Sequence, residues 1–365
     1  MDEAADRGGA ALPAAPAALF LHGLDQLRRC IGAGLDLASF APLETPCTTL
    51  IETTGLRLRR YLPDDGDGPV LLIVPAPIKR HWIWDPAPAA SVVRHALQRG
   101  CVVHLLEWTS APAHWGLEEA LAAIGACVDE IARRTGSTPH LLGHSLGGTL
   151  AALHAARRPE DLASLVLVEA PVRFGADAGA FAPLLACSPP GALVGQAFGR
   201  VPGSVLNLAA LLASPREFVW ERHLDALAAA LEGGKVARSH LLALRWTLDE
   251  FPMSGRLFAQ VADGLYREDR FMRGTLAVGG QLLGAAQVRA PVAAIVDPHS
   301  EMVPARSVLA LLDAAPLPRR LVLHYERDVG VGLQHLGVLI GRGAHRALWP
   351  RVFDWLEAID RPAPD

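Results

Sequence analysis

The sequence predicts an α/β chain built on a mostly parallel sheet, with a helical cap inserted between its sixth and seventh strands. Three observations carry that prediction. Short, nearly continuous apolar runs recur along the chain: GPVLLIVPAP, GCVVHLLEW, PHLLGHS, LASLVLVEAP, APVAAIVD and RRLVLHYER. Helix-length segments such as SVVRHALQRG and LEEALAAIGACVDEIARRTG lie between most of them. Strands that are apolar on both faces and alternate with helices belong to a parallel sheet covered on both sides. The third observation is a break in the rhythm. About 120 residues separate LVLVEAP from PVAAIVD, far more than a crossover needs.

Taken in order, residues 1–44 form an extension: an Ala/Pro-rich lead, then LFLHGLDQLRRCIGAGLDL, whose apolar spacing suits one helix packed on a larger body. TTLIETTGLRLRRYLP alternates like a hairpin turning at Thr54-Gly55, and DDGDG closes it. The sheet domain is expected over 45–172 and 288–365, with the cap over 173–287. Inside the cap, LVGQAFGRVPGSVLNLAALL, HLDALAAALEGG and SHLLALRWTLDEFPMSGRLF have the pattern of helices, some apolar enough to need burial against the sheet domain.

Composition narrows the function. With 365 residues, 51% of them hydrophobic and 20% charged, the chain can bury a full core and is not disordered. Net charge is −4 and no dense basic run tracks a phosphate backbone, so nucleic acid is not an expected partner. Five scattered cysteines, without a CxxC pair, suggest reduced, buried thiols rather than disulfides or zinc. The acidic, proline-containing N-terminus is unlike a secretory signal, and no stretch of eighteen apolar residues offers a transmembrane segment. The expected station is the cytoplasm, with a polymer or lipid surface as an alternative.

Chemistry concentrates at Gly143-His144-Ser145-Leu146-Gly147, a G-x-S-x-G that follows an apolar strand and opens a helix. Such an elbow must be tight, which explains the flanking glycines. It exposes the serine hydroxyl at the positive end of a helix. The Leu146 N–H can then donate to an oxyanion. His144 packs beside the elbow. The partner base should follow the last strand, because the chain order on such a sheet is Ser, acid, His; His335 stands there, whereas His345 falls in a C-terminal helix as a surface residue. A second oxyanion donor should come from the loop VPAPIKRHW, where Pro75 and Pro77 have no N–H. Of Ala76 and Ile78, Ile78 is favoured because the loop has left the strand by then. The remaining histidines lack ligand spacing, so neither a metal nor a cofactor is expected. Trp82, Trp84, Trp108 and Trp115 are assigned to core packing.

The residues LLIVPAPIKRHWIWD, SVVRHALQRG, HLLEW, LDEFPMSGRLFAQVADGLYREDRFMRG, GTLAVGGQLL, MVPA, HLGVLIGRGAH and WLEA, in this order over roughly 45 to 360, resemble the polyhydroxyalkanoate synthases. The likeness is greatest to the short catalytic subunit of the two-component type. It implies an α/β-hydrolase fold with a cap and acyl transfer from hydroxyacyl thioesters through a covalent intermediate. It also implies a second synthase-type subunit or a polymer granule as partner, and pocket contact near His81 to Asp85. Two departures stand out. The family's nucleophile is a cysteine in G-x-C-x-G-G, where this chain has Ser145. Its acid precedes the Val-Pro after the seventh strand by three residues, where this chain has Ser300.

A serine acyl-enzyme is an oxyester, the intermediate of hydrolases, which favours hydrolysis over polymerisation. Three carboxylates can replace the missing acid. Glu169, at the end of the sixth strand, is where haloalkane dehalogenases carry theirs; Asp297 and Glu301 flank Ser300. Glu169 is preferred, the alternative being a turn cap or a pair with Arg173. The expected function is therefore a serine acyl hydrolase or acyltransferase on hydroxyacyl esters or acyl-CoA thioesters. The alternatives are a poly(3-hydroxyalkanoate) polymerase subunit using hydroxyacyl-CoA and an inactive relative that binds granules or a synthase.

Overall fold

The computed structural model of the protein describes residues 16–62 and 66–361. The Ala/Pro-rich lead and the first aspartates of DDGDG lie outside the described residues. A 20-residue helix, α1 (Pro16–Leu35), precedes the hairpin β1 (Cys47–Thr53) and β2 (Leu56–Tyr61). The sheet continues with β3 (Val70–Val74), β4 (Val102–Trp108), β5 (His140–His144), β6 (Ser164–Val168), β7 (Val292–Val296) and β8 (Arg320–His324). Strand order is β1-β2-β4-β3-β5-β6-β7-β8. β2 runs antiparallel to β1 and β4, and the remaining neighbours are parallel.

Every residue of β3 to β7 is buried, the burial expected of strands covered on both faces. Period-two alternation divides their side chains between two apolar layers. Leu72 and Val74 pack with α3 (Leu117–Thr135), α4 (Leu146–Arg157) and α11 (Ala305–Ala314). Leu71 and Ile73 pack with α2 (Val92–Gln98), α12 (Gln334–Ile340) and α13 (Trp349–Asp360).

Between β6 and β7 the chain forms α5 (Phe181–Cys187), α6 (Gly191–Phe198), α7 (Gly203–Ala213), α8 (Arg222–Glu232), α9 (Gly234–Thr247) and α10 (Gly255–Ala259). Packing does not change at 287/288. Leu265, Phe271, Leu276, Val278 and Leu283 already share one buried cluster with Ile124 of α3 and Leu150 of α4. The stretch from about 260 onward therefore packs with the sheet domain, because its apolar residues need the α3/α4 surface.

α1 does dock on the cap, with Ala18 buried and polar residues fixing its orientation. Its buried Asp25 accepts hydrogen bonds from the Gly203 and Ser204 N–H groups at 3.0 and 2.7 Å, capping α7. Arg28 pairs with Glu250 at 3.1 Å. Leu19, Phe20, Leu27 and Ile31 face outward. The cysteines depart from expectation as well: all are free, but Cys30 and Cys187 are exposed, and only Cys101 and Cys127 are buried. Among the described residues no helix is long and apolar enough to cross a membrane.

Candidate active site

β5 ends at His144, and Ser145 makes the turn into α4 with φ 54° and ψ −134°, a left-handed conformation costly for a residue with a Cβ. The turn is held by its neighbours. Ser145 N–H donates to the Val168 carbonyl at 3.1 Å, and the Ser145 carbonyl accepts from Gly148 and Thr149 N–H. The glycines have a steric reason. A Cβ on Gly143 would strike Gly148, one on Gly147 the Val74 carbonyl, and one on Gly148 the Ala170 side chain. The elbow presses backbone against backbone, and only glycine fits at these three positions.

Ser145, Leu146, Ile78 and His335 line one cavity of about 270 Å³, whose walls are largely apolar and include Trp84 and Phe258. Leu146 is the first residue of α4, so its N–H has no partner within the helix. Among the described residues neither it nor the Ile78 N–H is hydrogen-bonded. The Ile78 carbonyl accepts from Phe251 N–H at 3.0 Å, which ties this loop to the cap.

His335 is the second residue of α12, and its Nδ1 lies 2.5 Å from Glu169 Oε2. Glu169 is almost fully buried at the end of β6, also at positive φ (43°). Its other oxygen, Oε1, is buried without a hydrogen-bond partner among the described residues. Burial raises the Glu169 carboxyl well above its usual range, and the Asp297 charge adds to this. Burial likewise lowers the His335 imidazole to about 4, against a smaller opposing effect of Asp297. At neutral pH His335 is therefore an uncharged base.

The other carboxylates are committed elsewhere. Asp297 accepts from His299 N–H at 2.8 Å and from Arg327 Nε at 3.0 Å. Glu301 is exposed and pairs with Arg216 at 2.9 Å. Ser300, at the family's acid position, accepts from Val303 N–H at 3.1 Å and shapes the turn before α11. Arg173 lies beside Asp177, not Glu169. His345 is not a free surface residue: it is half-buried just ahead of α13, bonded through Nε2 to the Leu339 carbonyl at 2.9 Å. Trp82, Trp84 and Trp108 are buried, and Trp115 is half-buried; Trp84 is both core and cavity wall, which brings the His81 to Asp85 segment to the site.

His144 does more than pack beside the elbow. Its Nε2–H donates to the His335 carbonyl at 2.9 Å, and the two rings lie 4.3 Å apart. Burial, then the neighbouring His335, holds its imidazole well below its usual range, so it stays neutral. His144, Glu169 and His335 offer donor atoms within 4.8 Å of one another and could in principle hold an ion. His335 Nδ1 and His144 Nε2 are, however, already used in hydrogen bonds inside this group. The sequence carried no local signal for the His144 link, since it depends on where α12 lands.

No family model matches the chain. Curated relatives described as poly(3-hydroxyalkanoate) polymerase subunit PhaC do match over most of its length. That of Haloferax mediterranei is 27% identical over 323 residues, covering 86% of this chain and 64% of the relative. That of Synechocystis sp. is 26% identical over 356 residues, covering 92% and 89%. That of Allochromatium vinosum is 24% identical, covering 78% and 80%. The chain thus spans about two thirds of the length of the Haloferax subunit. Among solved structures, the monoacylglycerol lipase of Paleococcus ferrophilus superposes with a TM-score of 0.53 at 16% identity, covering 84% of this chain and 99% of that one. The enol-lactonase of Burkholderia xenovorans superposes with 0.54 at 15%, covering 85% and 99%. The fold is that of the α/β-hydrolases, and the resemblance of the chain is to the polyhydroxyalkanoate synthases.

Proposed function

We propose that the protein is an acyltransferase that takes hydroxyacyl groups from thioesters or esters through a Ser145 acyl-enzyme. The observation that carries this reading is the Glu169···His335 contact of 2.5 Å, with His335 and Ser145 lining one cavity. His335 accepts the Ser145 hydroxyl proton as the oxygen attacks the acyl carbonyl. Glu169 orients the ring and stabilises the imidazolium that forms. Leu146 and Ile78 N–H groups receive the oxyanion. The tetrahedral intermediate collapses, His335 returns its proton to the leaving thiolate or alkoxide, and the acyl group remains on Ser145. A hydroxyl acceptor, deprotonated by His335, then attacks the ester and regenerates the serine. No cofactor enters these steps.

The acceptor decides between two outcomes. The relatives' description as polymerase subunits supports the hydroxyl of a growing hydroxyacyl chain, hence polymer from hydroxyacyl-CoA, together with a partner chain. The oxyester intermediate that Ser145 must form supports water, hence hydrolysis. Purified protein incubated with 3-hydroxybutyryl-CoA, with Ser145→Ala as control, tests both. CoA release with oligomer or polymer supports the first, and free hydroxy acid supports the second. Equal CoA release by the Ser145→Ala protein would overturn the mechanism. A serine-directed fluorophosphonate that labels neither protein would favour the inactive, granule- or synthase-binding alternative.

A further inference from the structure

The catalytic cavity has a charge imbalance that acyl transfer by itself does not use. Among its lining residues are three basic side chains, Lys79, Arg80 and Arg222, and one carboxylate, Glu250. Glu250 is already shared: Oε1 lies 2.5 Å from Lys79 Nζ, and Oε2 lies 3.1 Å from Arg28 Nη2. Arg80 is paired at 3.0 Å with Asp249, which is not part of the cavity wall.

Arg222 is different. It is half-buried at the start of α8 and donates one hydrogen bond, to Thr247 Oγ1 at 3.2 Å. Among the described residues no carboxylate lies within ion-pair distance of it. A guanidinium brings five N–H donors and a charge that is costly to leave uncompensated away from water. Burial and the nearby Arg28 both work against that charge. Placed on the apolar cavity that Ser145 also lines, such a group is suited to meet an anion that arrives from outside the protein.

We propose that Arg222 binds an anionic oxygen group of the substrate, so that the site takes acyl chains or acyl donors bearing a carboxylate or phosphate in preference to neutral esters. This rests on the acyl-transfer reading of the Ser145 cavity and adds its substrate class. The guanidinium fork matches either group with two parallel hydrogen bonds. A free carboxylate at the end of a hydroxyacyl oligomer and a phosphate of CoA are the two sources.

The test compares kcat/KM of the wild type, Arg222→Met and Arg222→Lys on three substrates: neutral p-nitrophenyl butyrate, the ester dimer of 3-hydroxybutyrate with its free carboxylate, and 3-hydroxybutyryl-CoA. The ratio of anionic to neutral kcat/KM should fall roughly ten- to hundredfold in Arg222→Met, chiefly through KM, with Arg222→Lys between. A fall confined to the dimer identifies the carboxylate, and one confined to the thioester identifies the phosphate. Equal losses on all three substrates, or no change in the ratio, would overturn the proposal.

Thermal melting with sodium 3-hydroxybutyrate or inorganic phosphate gives a readout independent of turnover. One of the two should raise the wild-type midpoint and fail to raise that of Arg222→Met. No rise in the wild type with either would count against the site. Failure of the acyl-enzyme reading looks different: all three proteins and Ser145→Ala would behave alike on p-nitrophenyl butyrate.

Discussion

Replacing Glu169 by glutamine changes one charge and almost no shape, which makes it the sharpest probe of the proposed triad. The carboxylate touches His335 Nδ1 at 2.5 Å and has no other hydrogen-bond donor on Oε1 among the described residues. In the proposed triad its resting role is to fix the ring. When His335 takes the serine proton, that role becomes electrostatic. With the two charge centres about 4 Å apart and an effective dielectric of about 20, the attraction is about 4 kcal/mol. Loss of that much transition-state stabilisation slows acylation by about 10³-fold. The assay is the rate of fluorophosphonate labelling at Ser145, alongside CoA release from 3-hydroxybutyryl-CoA. Stability should not follow activity. Glu169 is desolvated, so glutamine should leave the melting temperature unchanged or raise it. Asp297→Asn is the comparison: it loosens the Arg327 and His299 contacts and should cost stability more than acylation rate. If Glu169→Gln acylates within about tenfold of wild type while Asp297→Asn is inactive, the acid is Asp297 and the argument from geometry fails.

Other outcomes follow from the same structure. Gly148→Ala places a Cβ 2.5 Å from the Gly143 carbonyl and against Ala170, so it should cost about 1–3 kcal/mol in urea denaturation and abolish Ser145 labelling; full labelling would show that the elbow is looser than described. Burial lowers His104, His154, His335 and His345 each to about 4. Between their unfolded values near 6.5 and about 4 the unfolded chain binds more protons, so stability present above pH 6.5 should fall as pH drops, by roughly 1.4 kcal/mol per pH unit for each histidine. A flat urea midpoint between pH 6.5 and 4.5 would refute this. Trp349 is fully buried and donates to the Val338 carbonyl at 2.9 Å; Trp349→Ala should cost about 3–5 kcal/mol by urea denaturation. A loss under about 1 kcal/mol would mean that the α12/α13 layer repacks freely.

The sheet was legible because its strands are short and apolar throughout. VLLIV, SLVLV and VAAIV can be buried on both faces only in a helix-covered parallel sheet, and all three lie inside one. The elbow was legible because its glycines answer a local need for close backbone approach. α1 was legible as a docking helix but not in its orientation, which Asp25, Arg28 and the α7 N-terminus set, so that Phe20, Leu27 and Ile31 turn outward. The cover of the segment ahead of 288 was not legible for a related reason. Nothing in the pattern around Phe271 or Leu283 says which apolar surface will cover it.

What the sequence by itself determined is whatever depends on neighbours in the chain: strand and helix periods, the strained serine turn, and a histidine after the last strand. Among the three carboxylates the sequence offered, with Glu169 preferred, the tertiary structure shows which one meets that histidine. Glu169 and His335 are 166 residues apart and become partners because β6 and β7 are adjacent strands and α12 returns over their carboxyl ends. Asp297 was a further candidate by sequence, less favoured than Glu169, but a turn N–H and Arg327 hold its carboxylate. The tertiary structure likewise left Arg222, carried in by the cap, on the cavity without a counter-charge among the described residues. Contacts between distant segments follow from how the layers close, and no local pattern encodes that closure.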